Sequence, residues 1–193
     1  VSVVSLYFVT NALSAFLLLF TILFYVFVYT IWLKRKTPQN IVIGGASGAL
    51  PPVIGWAIAT NSISLESIAF FLIIFFWTPS HFWALSLYKA DDYKKAGIPM
   101  LPVTNGIQDT KKNILIYSLL MIPTIVFPYY IGFVGEVFLT LSLLLTFYYN
   151  LICYQLYNYK VGKFNIKKAR HIFSYSIIYL FLIFVFFLVD KVL

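Results

Sequence analysis

Six runs of about twenty apolar residues, joined by short connections that are alternately rich and poor in lysine and arginine, leave this chain few folds to choose from. The runs cover roughly residues 13–33, 41–59, 67–88, 113–131, 136–158 and 171–190. Each is long enough to cross the hydrocarbon core of a bilayer as a helix. With 62% hydrophobic and only 10% charged residues among 193, the chain cannot be a soluble globular or a disordered one. A membrane β-barrel would show ten-residue alternation of polar and apolar positions, and runs such as 177–189 do not. The fold class read here is all-α, a polytopic bundle of membrane-spanning helices, treated as one domain over residues 1–193. The single cysteine, Cys153, lies in an apolar run and reads as a small buried hydrophobe.

The net charge of +8 belongs to topology rather than to nucleic acid. Every lysine and arginine except Lys191 falls in the connections 34–40, 89–112 and 159–170, while those at 11–12, 60–66 and 132–135 carry none. By the positive-inside rule the three basic connections face the cytoplasm and the C-terminus lies outside. No basic stripe is interleaved with stacking aromatics, so no nucleic-acid partner is expected. Trp32 and Trp56 fall near span ends, where aromatic belts form. The chain begins with Val1 and an apolar segment of about ten residues, half a span, which leads us to expect a piece of a longer protein lacking its N-terminal part.

The span Ile41–Ala59, IVIGGASGALPPVIGWAIA, is irregular. Gly45 and Ala49 have the spacing that lets a neighbouring helix approach closely. Pro51–Pro52 should kink or break the helix and free backbone groups that need partners. Close packing, or a broken helix lining a cavity, would each use this pattern.

The stretch Trp77–Pro102, WTPSHFWALSLYKADDYKKAGIPMLP, carries the chemistry. At 100° per residue, Trp77, His81, Ala84, Tyr88, Asp91 and Asp92 share one helix face, with Phe82 and Trp83 pointing elsewhere. Ionisable groups within a span usually face a protein-lined or watery cavity. The chain has only six acidic residues, and two of them, Asp91 and Asp92, are adjacent here. A helix end would tolerate them as caps; a magnesium ion holding a phosphorylated substrate would need such oxygens. Lys94 and Lys95 would either bind the same phosphates or simply follow the topology rule. Gly97, Pro99 and Pro102 then shape a structured lid rather than a tether.

Two blocks, Tyr29–Trp56 (YTIWLKRKTPQNIVIGGASGALPPVIGW) and Phe75–Gly106 (FFWTPSHFWALSLYKADDYKKAGIPMLPVTNG), resemble the protohaem IX farnesyltransferases, or haem O synthases, of the UbiA-type intramembrane prenyltransferases. The blocks cover about a third of the chain. The resemblance implies a nine-helix bundle around a central cavity, of which about seven helices are visible here, the first partial. It implies two Asp-rich cytoplasmic motifs holding Mg²⁺ and a prenyl diphosphate. Asp91–Asp92 matches the second, and the first belongs to the part expected to precede Val1, so the chain alone should be inactive. Relatives that prenylate phenols carry acids where this chain has Tyr88 and His81, a departure that fits the haem-using branch. The implied reaction joins farnesyl diphosphate to a vinyl group of haem B, giving haem O, in a bacterial inner membrane or its organellar equivalent, with terminal-oxidase assembly proteins as partners.

In that reaction Asp91 and Asp92 would hold the metal and diphosphate. The rings of Tyr88, Trp77 and Trp83 would shield the allylic cation. Lys34, Arg35, Lys94 and Lys95 are candidates for the diphosphate or the haem propionates, and Gln39 and Asn40 for hydrogen bonds to either. His81 is read as touching the haem, through iron, or as a packed histidine bonded to a neighbouring helix. His171 reads as interfacial, and the Phe-rich segment 173–189 as lipid-facing bulk. Two alternatives stand beside this one. A sister enzyme would prenylate a quinone precursor or a chlorophyllide. A transporter or non-catalytic assembly factor would more often show an inverted repeat, and only one broken span is visible.

Overall fold

The structure, a computed structural model, describes residues 1–192. Among the described residues it is built from helices alone, and six of the resulting rods are long and apolar enough to cross a membrane: Ala12–Leu33, Asn40–Thr60, Leu65–Tyr88, Gly106–Tyr130, Glu136–Tyr157 and Ile166–Val192. A short α1 (Ser2–Val9) precedes them. Asn11 separates it from α2 (Ala12–Leu23), accepting the Ser14 N–H at 2.9 Å as an N-cap.

The first rod does not stay α-helical. From Phe24 to Leu33 it widens into a π-helix, closed by an i→i+5 bond from the Lys34 N–H to the Tyr29 carbonyl at 2.7 Å. The residues there, FYVFVYTIWL, are aromatic or β-branched almost throughout. The second rod breaks where its prolines predict. α3 (Asn40–Ala49) and α4 (Pro51–Thr60) meet at Leu50, whose N–H reaches the Ser47 carbonyl at 3.4 Å. Pro52 has no N–H to offer the Gly48 carbonyl.

Four helices form the tight part of the molecule: α5 (Leu65–Tyr88), α8 (Gly106–Tyr130), α9 (Glu136–Tyr157) and α10 (Ile166–Val192). Their interior holds Ile73, Trp83, Ile114, Met121, Phe138, Tyr149 and Tyr179. Buried hydroxyls and amides cross between them. Ser80 meets the Tyr149 hydroxyl at 2.9 Å, Thr146 meets Tyr179 at 2.9 Å, and Ser118 donates to Asn150 at 3.0 Å. In a bilayer, where apolar burial drives little association between helices, such bonds and close packing do the holding. The Phe-rich segment is not simply lipid-facing, as the sequence suggested. Phe187 is buried against Phe70, Phe133 and Phe138, while Phe181 faces out.

α9 is anchored at both ends by charged side chains from its neighbours. Asp190 of α10 accepts from the Gly135 and Phe138 N–H groups at 2.7 and 3.1 Å, a cap supplied from another helix. Lys111 of α8, with none of its surface exposed, donates to the Tyr159 carbonyl at 2.5 Å just past the C-terminus of α9. These contacts also sort the connections. The basic ones meet at one end of the bundle, where Arg170 lies over Tyr88, and those poor in basic residues at the other, where Asn11 donates to the Ala57 carbonyl at 2.8 Å.

Candidate functional site

A cavity of about 500 Å³ lies between the first rod, α3 and α5. Thr21, Ile22, Tyr25, Val26 and Tyr29 form one wall, and Ile41, Gly44, Gly45, Ser47 and Gly48 a second. Ile74, Trp77, Thr78 and Phe82 form the third. Ile22, Tyr25, Val26 and Gly48 are exposed, so the cavity opens on the flank of the bundle. The glycines of the broken span set its shape. A Cβ on Gly45 would stand 3.0 Å from Thr78 Cγ2, and one on Gly44 2.5 Å from the Tyr29 ring. Each lets a neighbour lie against bare backbone. Of the two uses open to this pattern, the structure has both: close packing at Gly45 and Ala49, and a cavity lining along Gly44–Gly48.

The cavity occupies the half of the bundle nearer the basic end. Phe82 lies about 9 Å below Tyr88 at 1.5 Å per residue. There α5 stops. Lys89 leaves helical geometry (φ −114, ψ 15), and a short α6 (Ala90–Lys95) follows. The single helix face projected through Asp91 and Asp92 is therefore interrupted. The pair sits in the first turn of α6, exposed, and neither residue lines the cavity. Asp92 accepts from Lys89 Nζ at 3.0 Å. α6 closes in a Schellman motif. The Ile98 N–H returns to the Tyr93 carbonyl at 3.0 Å and the Gly97 N–H to Lys94 at 3.1 Å, with Gly97 at φ +65. Met100 and Leu101, the latter opening α7 (Leu101–Thr104), then plunge into the core. The connection is a structured lid, as its glycine and prolines imply.

Tyr93 of α6 packs, partly buried, against the core. Burial pushes the Tyr93 phenol above its ordinary range; Tyr88 and Asp92 add to this and Lys89 opposes it. Lys34, half-buried, stands 5.8 Å from the centre of the Tyr29 ring. Arg35, Gln39, Lys94 and Lys95 are exposed on the connections at this end of the bundle. Asn40 is buried. Its amide donates to the carbonyls of Lys34 and Thr37 at 3.2 and 2.8 Å, closing the loop, while its Oδ1 has no partner.

The three aromatic candidates part company. Trp83 is fully buried against Tyr117, away from any opening. Tyr88 packs on Phe173 and lies under the Arg170 guanidinium at 5.4 Å. Trp77 alone faces the cavity. His81 sits behind it, stacked on the indole at 4.3 Å, with Nδ1 2.6 Å from Ser176 Oγ on α10. His171 is exposed and bonds the Tyr148 hydroxyl at 3.1 Å. The sequence reading did not pick out Tyr25, Tyr29, Thr78 and Phe82 as wall residues, nor Arg170. The i, i+4 spacing of the two tyrosines was a usable signal; nothing local links Arg170 to Tyr88.

Among the described residues, no three His, Cys, Asp or Glu side chains converge on a point that could hold a metal ion. Asp91 and Asp92 still suit a hard divalent cation that takes its other oxygens from a phosphorylated substrate and water, since Mg²⁺ is commonly held by one or two carboxylates in that way.

An apolar cavity thus lies in the half of the bundle whose connections carry Asp91, Asp92 and the exposed cations. The model of the UbiA prenyltransferase family matches residues 1–177, and the chain belongs to that family. It is an integral, multi-pass membrane protein. It is 74% identical over 192 residues to the protoheme IX farnesyltransferase of Pelagibacter ubique, covering 100% of this chain and 63% of that protein. It is 50% identical over 183 residues to that of Parvibaculum lavamentivorans, and 52% identical over 183 to that of Azorhizobium caulinodans. Those matches cover 95% of this chain and 58% and 60% of the two relatives, so the chain spans about three fifths of the curated proteins it resembles. No solved structure matches it.

Proposed function

We propose that the protein transfers a farnesyl group from farnesyl diphosphate to a vinyl group of haem B, giving haem O and pyrophosphate. The observation that carries this reading is the 74% identity to a protoheme IX farnesyltransferase along the whole chain. The apolar cavity, in the half of the bundle whose connections carry mixed charge, supports it as a place for an isoprenoid whose diphosphate stays at the surface. That end is cytoplasmic, on the charge distribution of the loops. Terminal-oxidase assembly proteins are natural recipients of the product.

Asp91 and Asp92 hold the divalent ion, Mg²⁺, that arrives with the diphosphate. When bound, that ion neutralises charge building on the leaving group. Lys34, Arg35, Lys94 and Lys95 bind the diphosphate or the haem propionates as cations, and Gln39 offers hydrogen bonds beside them, while Asn40, its amide hydrogens already given to Lys34 and Thr37, holds their loop closed. Tyr88 ends α5, between Phe82 of the cavity wall and the acids of α6 along the chain. The cavity wall, with the Trp77 ring in it, holds the chain and keeps water from the allylic carbon as its C–O bond breaks. The vinyl carbon bonds to that carbon, water adds to the cation left beside the pyrrole, and a proton is lost to solvent. No covalent enzyme intermediate is needed.

The test is haem O formation by the full-length protein from haem B and farnesyl diphosphate, with Asp92→Asn beside it. The variant should lose at least about a hundredfold in turnover; unchanged turnover would remove the acid pair from the mechanism. Supplying a phenolic quinone precursor alongside haem B separates the two acceptor classes. A preference for the phenol would overturn the haem reading.

A further inference from the structure

His81 is the only buried titratable side chain on α5, and the reaction above leaves it without a task. Its imidazole is sandwiched between two rings. Trp77 stacks on one face at 4.3 Å with a 19° tilt, and Phe173 on the other at 4.6 Å with a 24° tilt. Only 7% of its surface is exposed. Ser176 anchors both polar rings. Its backbone carbonyl accepts the Trp77 indole N–H at 2.8 Å, and its hydroxyl lies 2.6 Å from His81 Nδ1 and 2.6 Å from the Phe173 carbonyl. A carbonyl can only accept, so the single hydroxyl proton goes to Phe173, and His81 Nδ1–H donates to Ser176 Oγ. The imidazole is thus fixed in tautomer, height and tilt, and its covered faces are spent on packing. What it fixes in turn is the indole, and the indole is the part of this stack that lines the cavity.

We propose that His81 and Ser176 are positioning residues for Trp77. They hold the indole in the cavity wall as the surface that covers the allylic carbon during transfer, and His81 itself does not ligate haem iron. This inference rests on the prenyl-transfer reading. Its chemical consequence lies in a partition. When the C–O bond breaks, the electron pair leaves with the diphosphate, and the allylic carbon takes a new bond either from the vinyl carbon or from water. The second course gives farnesol and a proton. An indole held against that carbon excludes the water; a loose one admits it.

The measurement is farnesol released per haem O formed, by the full-length protein with haem B and farnesyl diphosphate. Being a ratio, it does not move when a variant merely lowers the amount of folded protein. Trp77→Leu and His81→Ala should each raise it about five-fold. His81→Phe keeps a flat ring between Trp77 and Phe173 and should stay within about two-fold of the parent. Ser176→Ala loses the imidazole anchor but keeps the carbonyl for Trp77, and should rise by about two-fold. A ratio unchanged in His81→Ala and Trp77→Leu would overturn the proposal. So would His81→Phe behaving as His81→Ala while the haem absorption spectrum changes alike in both, which is the pattern of a lost iron ligand. Reading the same ratio with a phenol acceptor keeps the test decisive if haem B proves not to be the acceptor, so the two readings fail separately.

Discussion

The two sides of this molecule are built to different standards. Around α5, α8, α9 and α10, side chains are buried from one end to the other, hydroxyls pair across helices, and α9 is tied down at both termini by Asp190 and Lys111. Across the cavity, the π-helical stretch Phe24–Leu33 buries none of its residues, and the next span is broken in the middle. On the proposed function, the prenyl chain lies between these two sides. The rigid four-helix half supplies a fixed wall carrying Trp77 and Thr78. The glycine-rich, widened half supplies the space opposite. What separates the halves is not apolarity, which both share, but the density of polar cross-links between helices.

That contrast can be broken by mutation, and the largest effect should come from the tight half. Trp83→Ala should cost about 3–5 kcal/mol in equilibrium unfolding in mixed micelles, because nothing nearby can collapse into the space. Phe27→Ala, at a position facing out of the open half, should cost about 0.5 kcal/mol or less. Similar losses at both would mean that the halves are equally packed. Gly45→Val comes next, driving a branched side chain into Thr78. It should cost about 1–3 kcal/mol and depress turnover, while Gly48→Ala, with nothing near its added carbon, should be close to neutral. The ties on α9 rank below that. Lys111→Met leaves a carbonyl without its donor and Asp190→Ala uncaps two amides, each worth about 1–2 kcal/mol on the same assay.

The smallest effect concerns Tyr93. Its phenol is protonated more firmly when folded than its ordinary value of 10.0, so its contribution to stability is complete below pH 10 and falls as pH rises past that value toward the folded one. Tyr93→Phe should remove that part of the alkaline loss, read as a shallower fall in unfolding free energy above pH 10. An identical slope in the variant would place the loss elsewhere.

The span layout, the break at Pro51–Pro52, the close approach at Gly45, the buried Cys153 and the folded lid were all legible in the sequence, because each depends on local chemistry or on the thickness of a bilayer. The π-helical stretch was not, since its residues keep the apolar character of a normal span and only the hydrogen-bond register changes. The stop at Lys89 also escaped, and with it the continuity of the face running from Trp77 to the acids. A helical projection gives the direction of a side chain from its own axis but not which neighbour meets it. His81 and Trp77 share a face, yet one lies against α10 and the other reaches the cavity. Arg170 over Tyr88 joins residues 82 positions apart, beyond any local pattern.

The most direct test of the central claim, that the open half receives the prenyl chain, is photolabelling of the full-length protein with farnesyl diphosphate bearing a diazirine on its terminal isoprene unit. The account predicts label on the peptides holding Thr21–Tyr29 and Ile74–Phe82, lost when unmodified farnesyl diphosphate is added. Label confined to the outer surfaces of α9 and α10, or unmoved by the competitor, would contradict it.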